Sequence, residues 1–394
     1  MRPMPYGAAA CLVAVQALAQ APLSYDDILS KARTTPEQWR TDALLAEAGL
    51  PFQESRGFLR EGPSLSLSAG PRASRGGSST TDRALEVELP LFLSSKVRTD
   101  LEASLGQAHP LLKEAARREG ALRLRAAYLD AWLAARLLAL QEADLATVER
   151  WLQTAQARLE AGADPAFQVS LVEGERLKLE QDLDEARSRV ARTWGDLVAL
   201  ADVPLSPVLL ADPVPPPVIP QEELAKRLQE GPLRRALLAQ AELEERGLRL
   251  KESLALSRWS LRGSYAQEGE ERVTRLGVAV RLPRPGESSA LRSHTQTQIR
   301  ALQGESRRAL AELDARALDV ISRLQRTTPG AVVPDFTKAV AAVGLRLQEG
   351  RERASEALPI RRQLLEAQMA GLRRIHTQRL LSAELQTLLG EVNP

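Results

Sequence analysis

Cysteine is all but missing from this chain: Cys11 is the single one in 394 residues. One thiol excludes an internal disulfide framework and a thiolate metal cluster. Neither charge sign is in excess, since 53 Lys and Arg against 51 Asp and Glu leave a formal net charge of +2. Bulk electrostatics therefore points to neither nucleic acid nor an acidic substrate. Beyond the N-terminus there is no run of about 18 apolar residues, the length a spanning helix needs. Any membrane contact of the mature chain must come from strands. Enzyme signatures are also missing. His109, His294 and His376 are scattered without metal-ligand spacing. Gly286-Glu-Ser-Ser has neither the lysine nor the glycines of a phosphate loop. The expectation is a protein with no catalytic residue, no cofactor, no metal site and no nucleic-acid partner.

Aromatics are scarce too, at 4%, while 26% of residues are charged and Ala, Leu, Arg and Glu dominate. This is the composition of long helices and coiled coils. The N-terminus has one basic residue, Arg2, then apolar Ala8 to Leu18, then two small-x-small sites, Ala17-Leu-Ala19 and Ala19-Gln-Ala21. Residues 1–19 read as a signal peptide. Cys11 lies inside it and leaves with it. The alternative, a lipidated Cys11, has only a very short apolar stretch before it.

A unit of two alternating strands, a prolyl strand end and a long helical hairpin occurs twice. The first copy holds Pro63-Ser-Leu-Ser-Leu-Ser-Ala-Gly70, Leu85-Glu-Val-Glu-Leu-Pro90 and Arg158-Leu-Glu-Ala-Gly162. The second holds Trp259-Ser-Leu-Arg-Gly-Ser-Tyr265, Val278-Ala-Val-Arg-Leu-Pro283 and Arg346-Leu-Gln-Glu-Gly350. The hairpin tip recurs after 188 residues (158 to 346) and the strand end after 193 (90 to 283). A duplication this long restricts the fold severely. The first repeat spans 20–203, with N-terminal helices, a strand pair over about 63–91 and a helical hairpin over about 94–203. Seven prolines mark 204–220 as an extended linker. The second repeat spans 221–394, with a helix at 221–256, a strand pair over about 258–283 and a hairpin over about 287–390.

Within the first repeat, residues 23–50 read as amphipathic helix, broken at Thr35-Pro36 and ended by Gly49-Leu-Pro51. Leu85, Val87, Leu89 and Leu91 alternate with Glu86 and Glu88; Leu276, Val278, Val280 and Leu282 alternate with Arg275, Gly277, Ala279 and Arg281. Each strand thus has one apolar face. Residues 94–162 contain no proline except Pro110; as one helix they would run about 100 Å. Leu145, Val148, Leu152, Ala155 and Leu159 predict a coiled-coil seam. Leu179, Leu183, Ala186, Val190, Trp194 and Leu197 answer it on the return helix. Trp132, Trp151 and Trp194 read as packing. Four strands cannot close a sheet, so the unit implies an oligomer.

The layout resembles the TolC family of outer-membrane efflux channels over nearly all of the mature chain. The resemblance rests on Leu23-Ser-Tyr-Asp-Asp-Ile-Leu29, Glu88-Leu-Pro-Leu-Phe92, Arg281-Leu-Pro283 and Ala127-Tyr-Leu-Asp-Ala131, on both tips, and on Leu364-Leu-Glu-Ala-Gln368. The break at Pro329–Pro334 is more similar to the heavy-metal efflux branch. Two points depart from the pattern: Arg284-Pro-Gly follows the second strand end, and only Phe92, Trp259 and Tyr265 could serve an aromatic girdle. The resemblance implies a mainly α protein with a small membrane β-barrel portion. Three chains would form a twelve-stranded barrel in the outer membrane of a Gram-negative bacterium and a periplasmic α-helical tunnel. It would be the passive exit duct of a tripartite pump. Its partners would be a periplasmic adaptor (membrane fusion) protein, an inner-membrane pump of the RND type and outer-membrane lipid.

Alternation would put Glu86, Glu88, Arg262 and Arg281 on the barrel lumen, with Arg275 beside them. An ordinary wet wall is the competing reading of this set. The resemblance makes Arg158, Gly162, Asp164, Arg346 and Gly350 candidates for the periplasmic tip, gate and adaptor contact. The competing reading is a solvated hairpin end with glycine as a helix cap. A periplasmic coiled-coil scaffold, or a non-conducting paralogue, is the alternative function. The cargo is not legible.

Overall fold

A computed structural model describes residues 22–54, 62–73, 79–91, 95–214, 221–256, 259–268, 271–280, 285–327 and 333–390. The signal peptide, Cys11, Phe92 and Arg281 lie outside the described residues. In chain order the elements are α1 (Tyr25–Leu29), α2 (Pro36–Glu54), β1 (Ser64–Ala73), β2 (Ser79–Leu91), α3 (Ser95–Glu160), α4 (Ala166–Leu200), α5 (Gln221–Gln229) and α6 (Pro232–Leu256). There follow β3 (Trp259–Glu268), β4 (Glu271–Val280), α7 (Glu287–Arg326), α8 (Thr337–Gln348) and α9 (Ala354–Leu389). The architecture is mainly α with one small antiparallel sheet. No described helix is long and apolar enough to cross a membrane.

One boundary and one seam differ from the sequence reading. Helix α2 runs through Gly49-Leu-Pro51 to Glu54, because Pro51 enters only its last turn and removes a single backbone bond. The predicted seam also drifts. Val148, Trp151 and Ala155 are the buried positions, whereas Leu159 is exposed. A straight helix at 3.6 residues per turn rotates away from a strict heptad over this distance. Pro110 is carried inside α3, which continues past it.

The chain divides into two compact units. One comprises Glu37–Ala116 and Gln229–Ala315 and holds the sheet, ordered β1-β2-β3-β4. Register is fixed by Ser64↔Glu88, Glu88↔Arg262 and Arg262↔Gly277. Pro90 pairs only with Ser260 on β3, because β1 starts opposite Glu88. A proline is tolerated there because that side of the strand asks for no donor.

The other unit comprises the described residues within Met1–Pro36, Arg117–Leu228 and Arg316–Pro394. One cluster of its core gathers Ile28, Leu124, Tyr128, Trp132, Trp194, Leu197 and Leu372. A second gathers Val148, Trp151, Val172, Leu179, Leu347 and Leu358. Fully burying side chains of this size contributes about 1.5–3 kcal/mol each. Gly344 lets α8 lie against Trp151: a Cβ there would come within 2.9 Å of the indole nitrogen. The proline-rich segment does not hang free where it is described. Tyr128 donates to the Ala211 carbonyl (2.5 Å), and Trp132 Nε1 (3.0 Å) and Arg136 (2.6 Å) both donate to Asp212. Burial would raise the Asp212 carboxyl, but these two donors hold it below the usual range. Burial pushes the phenols of Tyr25 and Tyr128 up to about 12, which keeps both as hydrogen-bond donors.

Candidate functional site

Two places gather the residues that the sequence singles out: the faces of the sheet and the tips of the helical hairpins. On the sheet, residues opposite one another across a ladder share a face, and successive residues alternate. One face carries Leu65 and Leu67 of β1, Leu85, Val87 and Leu89 of β2, Leu261 and Tyr265 of β3, and Leu276, Val278 and Val280 of β4. On β1 and β4 these side chains are not covered, with Leu67 79% exposed, Leu276 82% and Val278 61%, whereas Leu85, Val87 and Leu89 of β2 are half-buried. The other face carries Ser64, Ser66, Glu86, Glu88, Ser264, Arg262 and Arg275. Arg262 reaches Glu88 at 3.1 Å and Glu86 at 4.0 Å. The outer strands β1 and β4 each have only one neighbour in the sheet.

At the tips, the same local device occurs twice. Helix α3 ends in Gly162 at φ 68° and α8 ends before Gly350 at φ 74°. The Ala163 amide donates to the Arg158 carbonyl at 2.8 Å and the Gly162 amide to Leu159 at 2.9 Å. In the second tip Arg351 donates to Arg346 at 2.9 Å and Gly350 to Leu347 at 3.2 Å. Both are the paired bonds of a glycine-terminated helix. A side-chain clamp closes each one. Arg158 donates twice to Asp164, at 2.6 and 3.1 Å, and Arg346 donates to Glu352 at 3.0 Å. Sequence reading named Asp164 but missed its counterpart Glu352 and the pairing of each carboxylate with the arginine six residues before it. The signal was present as Arg-x-x-x-Gly-x-acid in both copies.

Arg158 also joins the two tips, donating to the Leu347 carbonyl at 3.4 Å. Its guanidinium lies where a Cβ at Gly350 would be, 2.5 Å away. Gln168 completes the contact, accepting from the Ser355 amide at 3.1 Å. Asp164 is therefore 8% exposed and committed to Arg158. The hydrogen bond from Arg158 holds its carboxyl below the usual range. At both glycines a side chain would be strained by the left-handed backbone, at about 1–2 kcal/mol. Gly162 has open space, but Gly350 does not. Gly350→Ala is expected to lower the guanidinium midpoint more than Gly162→Ala, and equal losses would remove Arg158 as the cause.

Further from the tips, sequence reading missed a buried ion network. Arg361 of α9 is 1% exposed and donates to both Asp144 of α3 and Glu175 of α4. Arg362 donates to Glu175 from the adjacent position, with Nε at 2.9 Å. Burial raises the Asp144 carboxyl above the usual range, and Arg361 offsets this only in part. Bonding to Arg362 holds Glu175 below it, against the effect of burial. Glu175 is thus a buried partner of both arginines. His376 is not isolated either: its Nε2 lies 2.7 Å from Asp130 Oδ1.

Residues 60–201 match the model of the outer membrane efflux protein family. The matched segment covers β1, β2, α3 and α4. No curated protein matches the chain. Among solved structures the fold is similar to VceC, an outer membrane protein of Vibrio cholerae (TM-score 0.71, 16% identity, 93% of this chain and 96% of that one). It is also similar to the CmeC outer membrane channel of Campylobacter jejuni (TM-score 0.70, 14% identity, 93% and 85%). A third is the MtrE outer membrane channel of Neisseria gonorrhoeae, solved in its open state (TM-score 0.65, 17% identity, 93% and 88%). The matched segment thus sits in a chain whose TolC-like fold is similar, over 93% of its length, to these outer membrane proteins.

Proposed function

We propose that this chain is the outer-membrane exit duct of a tripartite efflux pump. The observation that carries the reading is the four-stranded sheet, apolar and open on one face except for the row Arg83, Gln267 and Arg272 near the hairpin ends, polar on the other, and unpaired along both edges. In water such a sheet would expose a large apolar patch and two aggregation-prone edges. In a bilayer the apolar face meets lipid, and the edges must pair because no water can satisfy them. Three copies closing their sheets into one barrel of twelve strands meet both demands. Ten-residue strands such as β3 and β4 have the length an outer-membrane barrel uses. The helical hairpins then form the periplasmic tunnel. Their tips, with Arg158, Gly162, Asp164, Arg346 and Gly350, meet a periplasmic adaptor. An inner-membrane pump of the RND type supplies the energy. The repeats at 20–203 and 221–394, joined by the 204–220 linker, each supply two strands and one hairpin.

Single-channel recording of the purified mature chain in planar bilayers tests this. Discrete conductance steps from a trimer-sized particle are expected. A chain that stays water-soluble and never enters the bilayer would overturn the duct and leave the periplasmic scaffold.

A further inference from the structure

The polar face of the sheet is not simply acidic. Its charged side chains fall into two adjacent rows that run across the strands. One row reads Ser66, Glu86, Ser264, Arg275; the next reads Ser64, Glu88, Arg262, Gly277. Each row carries one carboxylate and one guanidinium. The rows on either side carry no charge in their paired part: Ser68, Ala84, Ala266 and Val273 on one, Pro90, Ser260 and Ala279 on the other. By register Arg72, Asp82, Glu268 and Glu271 continue this face only at the hairpin ends. The two rows are also joined to each other, because Arg262 lies 3.1 Å from Glu88 and 4.0 Å from Glu86.

Resting on the duct reading above, we propose that Arg262 and Arg275 set the ion selectivity of the barrel by cancelling Glu86 and Glu88 row by row. A ring of bare carboxylates in a pore draws cations and repels anions. Glu88 and Glu86, with the Arg262 guanidinium 3.1 and 4.0 Å away, and Arg275 two strands from Glu86, present dipoles, whose fields die off faster than that of a charge. Salt screening within about 8–10 Å removes most of the remainder. Threefold repetition multiplies pairs, not net charge. These two rows of the barrel wall therefore favour neither sign, and selection among cargoes falls to other parts of the assembly.

The test is the reversal potential of single channels of the mature chain under a KCl gradient. The wild type is expected to pass K⁺ and Cl⁻ with a permeability ratio near unity. Arg262→Gln with Arg275→Gln bares the six carboxylates of a trimer and should raise the K⁺/Cl⁻ ratio severalfold. Glu86→Gln with Glu88→Gln should move it the other way, and it serves as an independent arm if the arginine variant fails to assemble. Arg262→Lys should keep the wild-type ratio. A wild type already strongly cation-selective, or a ratio unmoved by both charge-removing variants, overturns the proposal while leaving the duct intact. Absence of pores from the wild type overturns the duct itself, and the proposal with it.

Discussion

Arg361→Met is expected to destabilise the helical hairpins by about 3–5 kcal/mol, the cost of removing one partner from a buried ion pair. Arg361 is 1% exposed, and among the described residues it is the one ion partner of Asp144, itself 8% exposed. Methionine restores much of the volume, so the loss reports the orphaned charge more than a cavity. Glu175 retains Arg362, which leaves Asp144 as the uncompensated group. The pH dependence follows from its direction of shift. Burial already raises the Asp144 carboxyl in the folded protein, and loss of Arg361 raises it further. A carboxylate with a raised folded value costs stability once the pH climbs through the unfolded and then the folded value. The deficit should therefore be full at neutral pH and shrink on acidification as Asp144 takes up its proton. Guanidinium unfolding followed by circular dichroism at 222 nm, at several pH values, measures this. A midpoint equal to wild type, or a deficit that ignores pH, would show that the network does not hold the hairpins together.

The second large effect separates the two faces of the sheet. Leu67 and Ser66 are neighbours in β1 with side chains on opposite faces. Leu67→Arg places a charge on the lipid side, which near the bilayer midplane costs about 2–4 kcal/mol per copy. Ser66→Arg places the same charge on the wet side, beside Glu86, and should cost little. The measurement is the yield of heat-resistant trimer folded into lipid vesicles. A sharp drop for Leu67→Arg with near-normal assembly of Ser66→Arg is expected. Equal yields would contradict the assignment of the apolar face to lipid. Reversed yields would place the lumen on the other side.

Much of this was legible along the chain because the signals are local. A strand that alternates Leu85, Val87 and Leu89 with Glu86 and Glu88 declares its two faces whatever it pairs with. Arg158 and Gly162, matched by Arg346 and Gly350, announce two glycine-capped helix ends, and the structure gives both glycines positive φ. What escaped was every feature that depends on the register of one element against another. Arg361 meets Asp144 and Glu175 across 217 and 186 residues. No spacing within α9 signals those partners. Arg361-Arg362 reads as an ordinary charged helix face until α3 and α4 are packed against it. Asp164 illustrates the same limit. Its position at a tip was readable, but its commitment to Arg158 needed the geometry of the turn.

The sequence by itself determined the class of fold, the strand faces, the hairpin tips and the duplication, because hydrophobic period and turn chemistry act over a few residues. Only the tertiary structure decided which charges cancel. Glu88 faces Arg262 because β2 and β3 pair in one register, and a slip of one residue would turn each strand's side chains to the opposite face. Charges are attracted through space, and the distances that govern them are set by packing rather than by position along the chain.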